Sequence, residues 1–270
     1  MERLRSNNLC VELQPLSVVK SSSGDRTRLG RRLGIEYSSL TLAHSYLPDR
    51  VPEVFSFEVG SNGSKLTMER LRLAKNVSFG DIANLVEELQ TLPIDTDIPI
   101  YRPNDYTRRA YVELRFLQRE GLFVGFSDSE VDRVKQAYSR LLPSLGLYKT
   151  VFVHGDVQAR HFATKASGLA IFDFDQAHFG SELEDWAFLS IRHPFLLRTI
   201  SGYLQNKFGN NPEQLANLEP AFLLMQIDKV LHSYFSRTYQ WRGKSFDMAA
   251  KIYGRGKLLS LVSRAKTIAH

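Results

Sequence analysis

Two carboxylates, each delivered by a short apolar run, dominate the chemistry this chain can offer. Val151-Phe152-Val153 leads into His154-Gly155-Asp156, and a second run over 168–174 carries Asp173 and leads to Asp175. Runs of this length and composition read as buried strands. Two such strands side by side bring Asp156 and Asp173, seventeen residues apart, toward one point. Phosphoryl transfer needs that arrangement: one carboxylate orients a hydroxyl and accepts its proton, and another holds Mg²⁺ against the oxygens of ATP. Mg²⁺ takes oxygen ligands, keeps several waters and uses only one or two protein carboxylates. The plainer reading has both aspartates capping turns at strand ends. His161, five residues after Asp156, is either a further metal ligand or a hydrogen-bonding loop residue. Neutral imidazole binds metals, but suits Mg²⁺ less well than oxygen does. Asp175 either assists the metal or closes the turn.

The elements that must position these groups change character near residue 76. Before it, Leu9–Leu13 and Leu16–Val19 are β-prone runs broken by Pro15, and 34–46 is a weakly periodic helical stretch ending before Pro48. Two further runs, 53–59 and 65–71, flank Gly60-Ser61-Asn62-Gly63, a strong hairpin signal. From Ser78 the period is helical. Ser78 with Asp81 makes a capping-box-like start, and Ile82, Leu85, Val86 and Leu89 share one face. Asn104 and Ser127 are expected caps of helices over 105–120 and 128–142. Asn211-Pro212 reads as a further helix start. The sum is an α+β chain, a small β-rich part over 1–76 and a larger helical part over 77–270, with a cleft between them.

Composition removes several alternatives. The chain has 270 residues with 43% hydrophobic and 24% charged, which is ordinary for a folded protein. Its single cysteine, Cys10, excludes an intramolecular disulfide and a multi-cysteine zinc site. No apolar run approaches the ~18 residues of a membrane span, and no secretory leader is expected. A cytoplasmic protein follows as the expectation. The net charge of +6 is unevenly spread: 169–191 carries five carboxylates and no Lys or Arg, whereas 248–270 carries five basic residues and no acidic one. That basic end, interleaved with Leu258, Leu259, Leu261 and Val262, reads as an amphipathic terminal helix rather than a nucleic-acid arm, so no nucleic-acid partner is expected.

The segment 151–187 resembles the aminoglycoside phosphotransferase and choline kinase family, small-molecule relatives of the protein kinases. His154-Gly155-Asp156 matches the start of the family's catalytic loop. Ile171-Phe172-Asp173-Phe174-Asp175 matches its metal-binding strand with one residue inserted, and Gly180 with Asp185-Trp186-Ala187 matches the motif that follows. The resemblance implies a two-lobed, protein-kinase-like fold. It assigns Asp156 as catalytic base, Asp173 as the principal Mg²⁺ ligand, and His154 and Asp185 as structural support of the catalytic loop. His161 stands where most of the family has a metal-binding Asn.

Weaker matches lie upstream. Lys20, after Val18-Val19, resembles the strand lysine that holds the nucleotide phosphates, with Glu36 as its ion-pair partner. Met68 and Glu69 fall in the hinge strand that meets adenine, and Asn7 at the end of the nucleotide loop. That loop's glycines and the first strand are expected to be missing, which would shorten the N-terminal lobe. The plainer reading of Lys20 is an exposed lysine on an edge strand, and Glu36 reads equally as a solvated helix residue. Glu182 and Glu184 are either exposed loop charges or the lining of an acceptor pocket.

The expected activity is transfer of the γ-phosphate of ATP, with Mg²⁺, to a hydroxyl of a small molecule of aminoglycoside, choline or sugar type. The alternative is a pseudokinase-like binding protein of the same fold without efficient transfer.

Overall fold

Alternation of apolar and polar residues in the first third builds a sheet, and helical periodicity builds most of the rest. The structure is a computed structural model that describes residues 2–6, 9–23, 28–61, 63–119, 126–240 and 248–268. The described chain divides into two compact units. One comprises 1–100 with 151–180, the other 101–150 with 181–270.

In the first unit, β1 (Glu2–Ser6), β2 (Leu9–Leu13), β3 (Ser17–Ser23), β4 (Val54–Gly60) and β5 (Gly63–Glu69) form one sheet in the order β1-β2-β3-β5-β4. All four of its pairings are antiparallel. The first strand, expected to be missing, is therefore present. Its polar sequence ERLRS has little apolar alternation to reveal it. The hairpin closes as expected, with Gly60 opposite Gly63. Helix α1 (Arg28–Tyr46) begins six residues earlier than the apolar period announces. It buries Leu33, Glu36, Leu40 and Ala43, and Tyr37 stacks on Phe57 at 4.7 Å.

A second, three-stranded sheet orders β6 (Arg72–Leu73), β8 (Phe162–Lys165) and β9 (Gly168–Ile171), while β7 (Thr150–Val153) pairs with β10 (His178–Ser181). Strand β9 ends at Ile171, short of the run that continues to Phe174. Asp173 has φ +74°, alone among described non-glycine residues in being positive, and that conformation cannot continue a strand. Ser78 caps α2 (Phe79–Gln90) by accepting from the Asp81 amide at 3.1 Å.

The second unit is helical: α3 (Pro103–Arg119), α4 (Asp128–Leu145), α5 (Glu184–Arg192), α6 (Leu197–Phe208), α7 (Pro212–Gln240) and α8 (Met248–Ile268). Ser127 and Glu130 form a full capping box on α4. The expected cap Asn104 lies inside α3, which starts at Pro103, a residue suited to a first turn. Helix α8 packs on α4 and α7 through Leu258, Val262 and Ala265, and Arg255 binds the Glu130 carboxylate at 2.6 and 2.8 Å. Buried charges in this unit are matched: Asp228 binds Arg109 and the Tyr138 hydroxyl, and Glu113 meets His232 at 2.6 Å. No described helix is long and apolar enough to cross a membrane.

Candidate active site

The loop after β7 is shaped by Gly155. Its φ of +82° favours glycine, and a Cβ there would stand 2.5 Å from the Gln176 carbonyl oxygen. The close approach packs the 154–156 turn onto the 173–177 turn. His154 is fully buried between them and spends both ring nitrogens on backbone. Nε2 donates to the Phe172 carbonyl at 3.1 Å, and Nδ1 accepts from the Asp156 amide at 3.2 Å. Burial, and next the neighbouring His161, lower its pKa to about 3, so the ring is neutral. Its two contacts tie the 154–156 turn to the Phe172 carbonyl.

Asp156, His161 and Asp173 converge. One ligand atom of each lies within 4.8 Å of the others. Asp156 accepts from the Gln158 side-chain amide at 2.6 Å, with the Arg160 guanidinium 3.8 Å away. His161 sits in a short helical turn over 159–161 and is buried. Its Nδ1 lies 2.8 Å from the Asp156 carbonyl oxygen, which can only accept, so Nδ1 carries the hydrogen. Nε2 lies 3.1 Å from Asp173 Oδ2 and 3.1 Å from Arg160 Nε. One ring nitrogen is hydrogen-bonded within the loop and the other faces Asp173.

Lys20 lies on β3, the central strand of five, and is not an edge lysine. Its ammonium bridges Glu36 at 2.7 Å and Asp173 Oδ1 at 2.6 Å. Glu36 is fully buried and not solvated. Burial would lower the Lys20 pKa, but the two carboxylates more than offset it and hold the ammonium charged. For Asp173 burial acts upward, while Lys20 and then His161 outweigh it and keep the carboxyl well below the usual range. For Glu36 burial dominates and its carboxyl is raised despite Lys20.

Asp175 is held by Arg32, Nη2 to Oδ2 2.5 Å. Burial pushes its carboxyl up to about 7; Arg32 opposes this, and the nearby Asp173 and Glu36 add to it. Met68 is buried in β5, and Glu69 at its end binds Lys165 at 2.8 Å. Asn7 lies outside the described residues. Asp185 is buried in the first turn of α5, in the other compact unit. Glu182 and Glu184 are not exposed loop charges: Glu182 accepts from the Lys149 amide at 2.8 Å, and Glu184 binds Lys229 at 2.5 Å and Tyr106 at 2.7 Å. The cluster of negative charge seen in the sequence is thus largely neutralised inside the protein.

Sequence reasoning missed Arg32, Gln158 and Arg160. Arg32 and Glu36 are one helical turn apart on α1, so they share a face and meet the 173–175 segment together. That i, i+4 spacing is the one signal that would have found Arg32.

The donor set of two carboxylates and one imidazole nitrogen suits a divalent cation. His161 Nε2 and Asp173 Oδ2 stand 3.1 Å apart. Adjacent ligands around a cation with bonds of about 2.1 Å stand roughly 3 Å apart, so the spacing fits.

A sequence profile of the phosphotransferase enzyme family matches residues 42–218. No curated protein matches the chain at a significant level. Several solved structures share its fold at low identity. The GDP complex of an aminoglycoside 2'-phosphotransferase superposes with a TM-score of 0.65 at 14% identity, covering 98% of this chain and 92% of the other. A streptomycin–ATP ternary complex of an aminoglycoside phosphotransferase gives 0.64 at 17% identity, with 96% and 90% covered. A choline/ethanolamine kinase family protein from Mesorhizobium loti gives 0.66 at 14% identity, with 99% and 91% covered.

Proposed function

This chain belongs to the phosphotransferase enzyme family, and we propose that it transfers the γ-phosphoryl group of ATP to a hydroxyl of a small molecule. The observation that carries the reading is the convergence of Asp156, His161 and Asp173, with Lys20 bound to both Asp173 and Glu36. In this reading Asp156 orients the acceptor hydroxyl and takes its proton as the oxygen attacks phosphorus. Lys20, held by Glu36, steadies the nucleotide phosphates. Asp173 and His161, with Asp175 beside them, would hold Mg²⁺, whose chemistry would be to supply positive charge to the phosphate oxygens. His154 and Asp185 support the loop, and Asn7, Met68 and Glu69 border the nucleotide. The nucleotide lobe is assigned to 1–76 and the helical lobe, with the acceptor site, to 77–270.

Family membership and the nucleotide-bound relatives of the same fold support the reaction class. The acceptor is sought among hydroxylated amines, sugars and aminoglycosides. Incubation of the chain with ATP, Mg²⁺ and a panel of these compounds, read by mass spectrometry, should yield one phosphorylated acceptor class. Nucleotide binding without transfer to any acceptor would point instead to a binding protein of the same fold.

A further inference from the structure

We infer that the Asp156–His161–Asp173 cluster prefers a first-row divalent transition-metal ion such as Mn²⁺ over Mg²⁺, and that His161 Nε2 is the atom that sets this preference. The inference rests on the phosphotransferase reading of the same site and goes beyond it in the identity of the ion. Three features of His161 carry it.

Its tautomer is set. The Asp156 carbonyl oxygen, 2.8 Å from Nδ1, can only accept, so Nδ1 carries a hydrogen and Nε2 is the nitrogen left for a metal. A metal-binding imidazole whose other nitrogen donates to a backbone carbonyl is oriented and made more basic, which strengthens it as a ligand.

The placement of Nε2 is set as well. The side chain is only 4% exposed, and the ring is flanked by Phe172 at 5.8 Å and His154 at 6.1 Å between centroids. It aims at Asp173 Oδ2, 3.1 Å away.

The donor now facing Nε2 is replaceable. Arg160 Nε approaches it at 3.1 Å, from a side chain that is 71% exposed and free to turn toward solvent. The guanidinium stands beside Nε2 and the Asp156 carboxylate, and a cation entering the cluster would displace it toward solvent.

The chemistry of the donors then decides the ion. Mg²⁺ favours an all-oxygen shell, whereas imidazole nitrogen raises affinity along the first-row series relative to Mg²⁺. A site built from oxygens alone lacks this bias, and one with a buried, pre-aimed imidazole has it.

The test uses the full chain with Mn²⁺ and Mg²⁺ as probes, with and without ADP. Pulsed electron paramagnetic resonance on Mn²⁺ bound to the wild-type chain should show hyperfine coupling to an imidazole nitrogen. Calorimetry should show the Mn²⁺ to Mg²⁺ affinity ratio falling about tenfold or more in His161→Asn, mainly through lost Mn²⁺ affinity. Mn²⁺ bound without nitrogen coupling, or an unchanged ratio in the variant, would overturn the inference. The spectroscopic measurement needs no substitution, so it stands even if His161→Asn folds poorly. A nitrogen-coupled Mn²⁺ site that supports no phosphoryl transfer would sink the kinase reading and leave the metal preference intact.

Discussion

Replacing Lys20 with Met tests the electrostatic centre of the site. Met keeps most of the apolar stem and removes only the charge that both Glu36 and Asp173 contact, at 2.7 and 2.6 Å. Glu36 is the more exposed to consequence of the two: its side chain is 0% accessible and its Oε2 already has no hydrogen-bond partner. Removing one partner of a buried pair typically costs about 3–5 kcal/mol, because the remaining charge is left uncompensated. Proton uptake limits the loss. Burial already raises the Glu36 carboxyl with Lys20 present, and it rises further without it. A carboxyl whose folded pKa exceeds its unfolded one favours folding below the unfolded value and loses that contribution as pH rises through the folded value. The deficit should therefore be near 3 kcal/mol at pH 8 and smaller at pH 5.

Urea unfolding followed by far-ultraviolet circular dichroism at both pH values measures it, with m unchanged. The double variant Lys20→Met/Glu36→Gln removes the orphaned charge. It should be more stable than the sum of the single effects implies, by at least about 1 kcal/mol. A deficit below about 1 kcal/mol that is the same at both pH values and additive in the cycle would refute the reasoning.

Other consequences are more local. Gly155→Ala should destabilise by at least about 2 kcal/mol, since it combines a positive φ with a Cβ 2.5 Å from a backbone oxygen; a neutral effect on the urea midpoint would contradict the assigned turn. Arg32→Gln should cost about 1–2 kcal/mol, and a double-mutant cycle with Asp175→Asn should assign most of that to the pair; zero coupling would remove the contact. Glu130→Gln should cost about 1–2 kcal/mol at neutral pH through the capping box and Arg255. Burial raises the Glu130 carboxyl, but Arg255 and the Ser127 amide and hydroxyl outweigh it and hold it below its ordinary value. Its contribution is thus present above the usual carboxylate range and lost as pH falls through the lowered value. The difference between wild type and variant should shrink on acidification, and a difference that grows would contradict this.

The two aspartate loops were legible because their signals are local: an apolar run, a glycine turn and an acid. The caps Ser78 and Ser127 and the 60–63 hairpin were legible for the same reason. Strand β8 escaped notice because Phe162-Ala163-Thr164-Lys165 is short and its pairing partners are β6 and β9, not a periodic neighbour. The end of β9 was placed too late because hydrophobicity persists through Phe172 and Phe174, while the backbone turns at Asp173. Lys20 meets Asp173 across 153 residues of chain. No window on the sequence holds that contact; the resemblance paired Lys20 with Glu36 and did not point to Asp173. The neutralisation of Glu182 and Glu184 was equally hidden, because their partners come from α3, α7 and the segment before β7.

The central claim is that Asp156 accepts the proton of an acceptor hydroxyl during phosphoryl transfer. The most direct measurement is single-turnover transfer from ATP to the acceptor identified by mass spectrometry, in wild type and in Asp156→Asn, with nucleotide affinity measured alongside. The account predicts a loss of about 10²–10⁴ in the transfer rate with ATP affinity nearly unchanged. Equal transfer rates in the two proteins would contradict it.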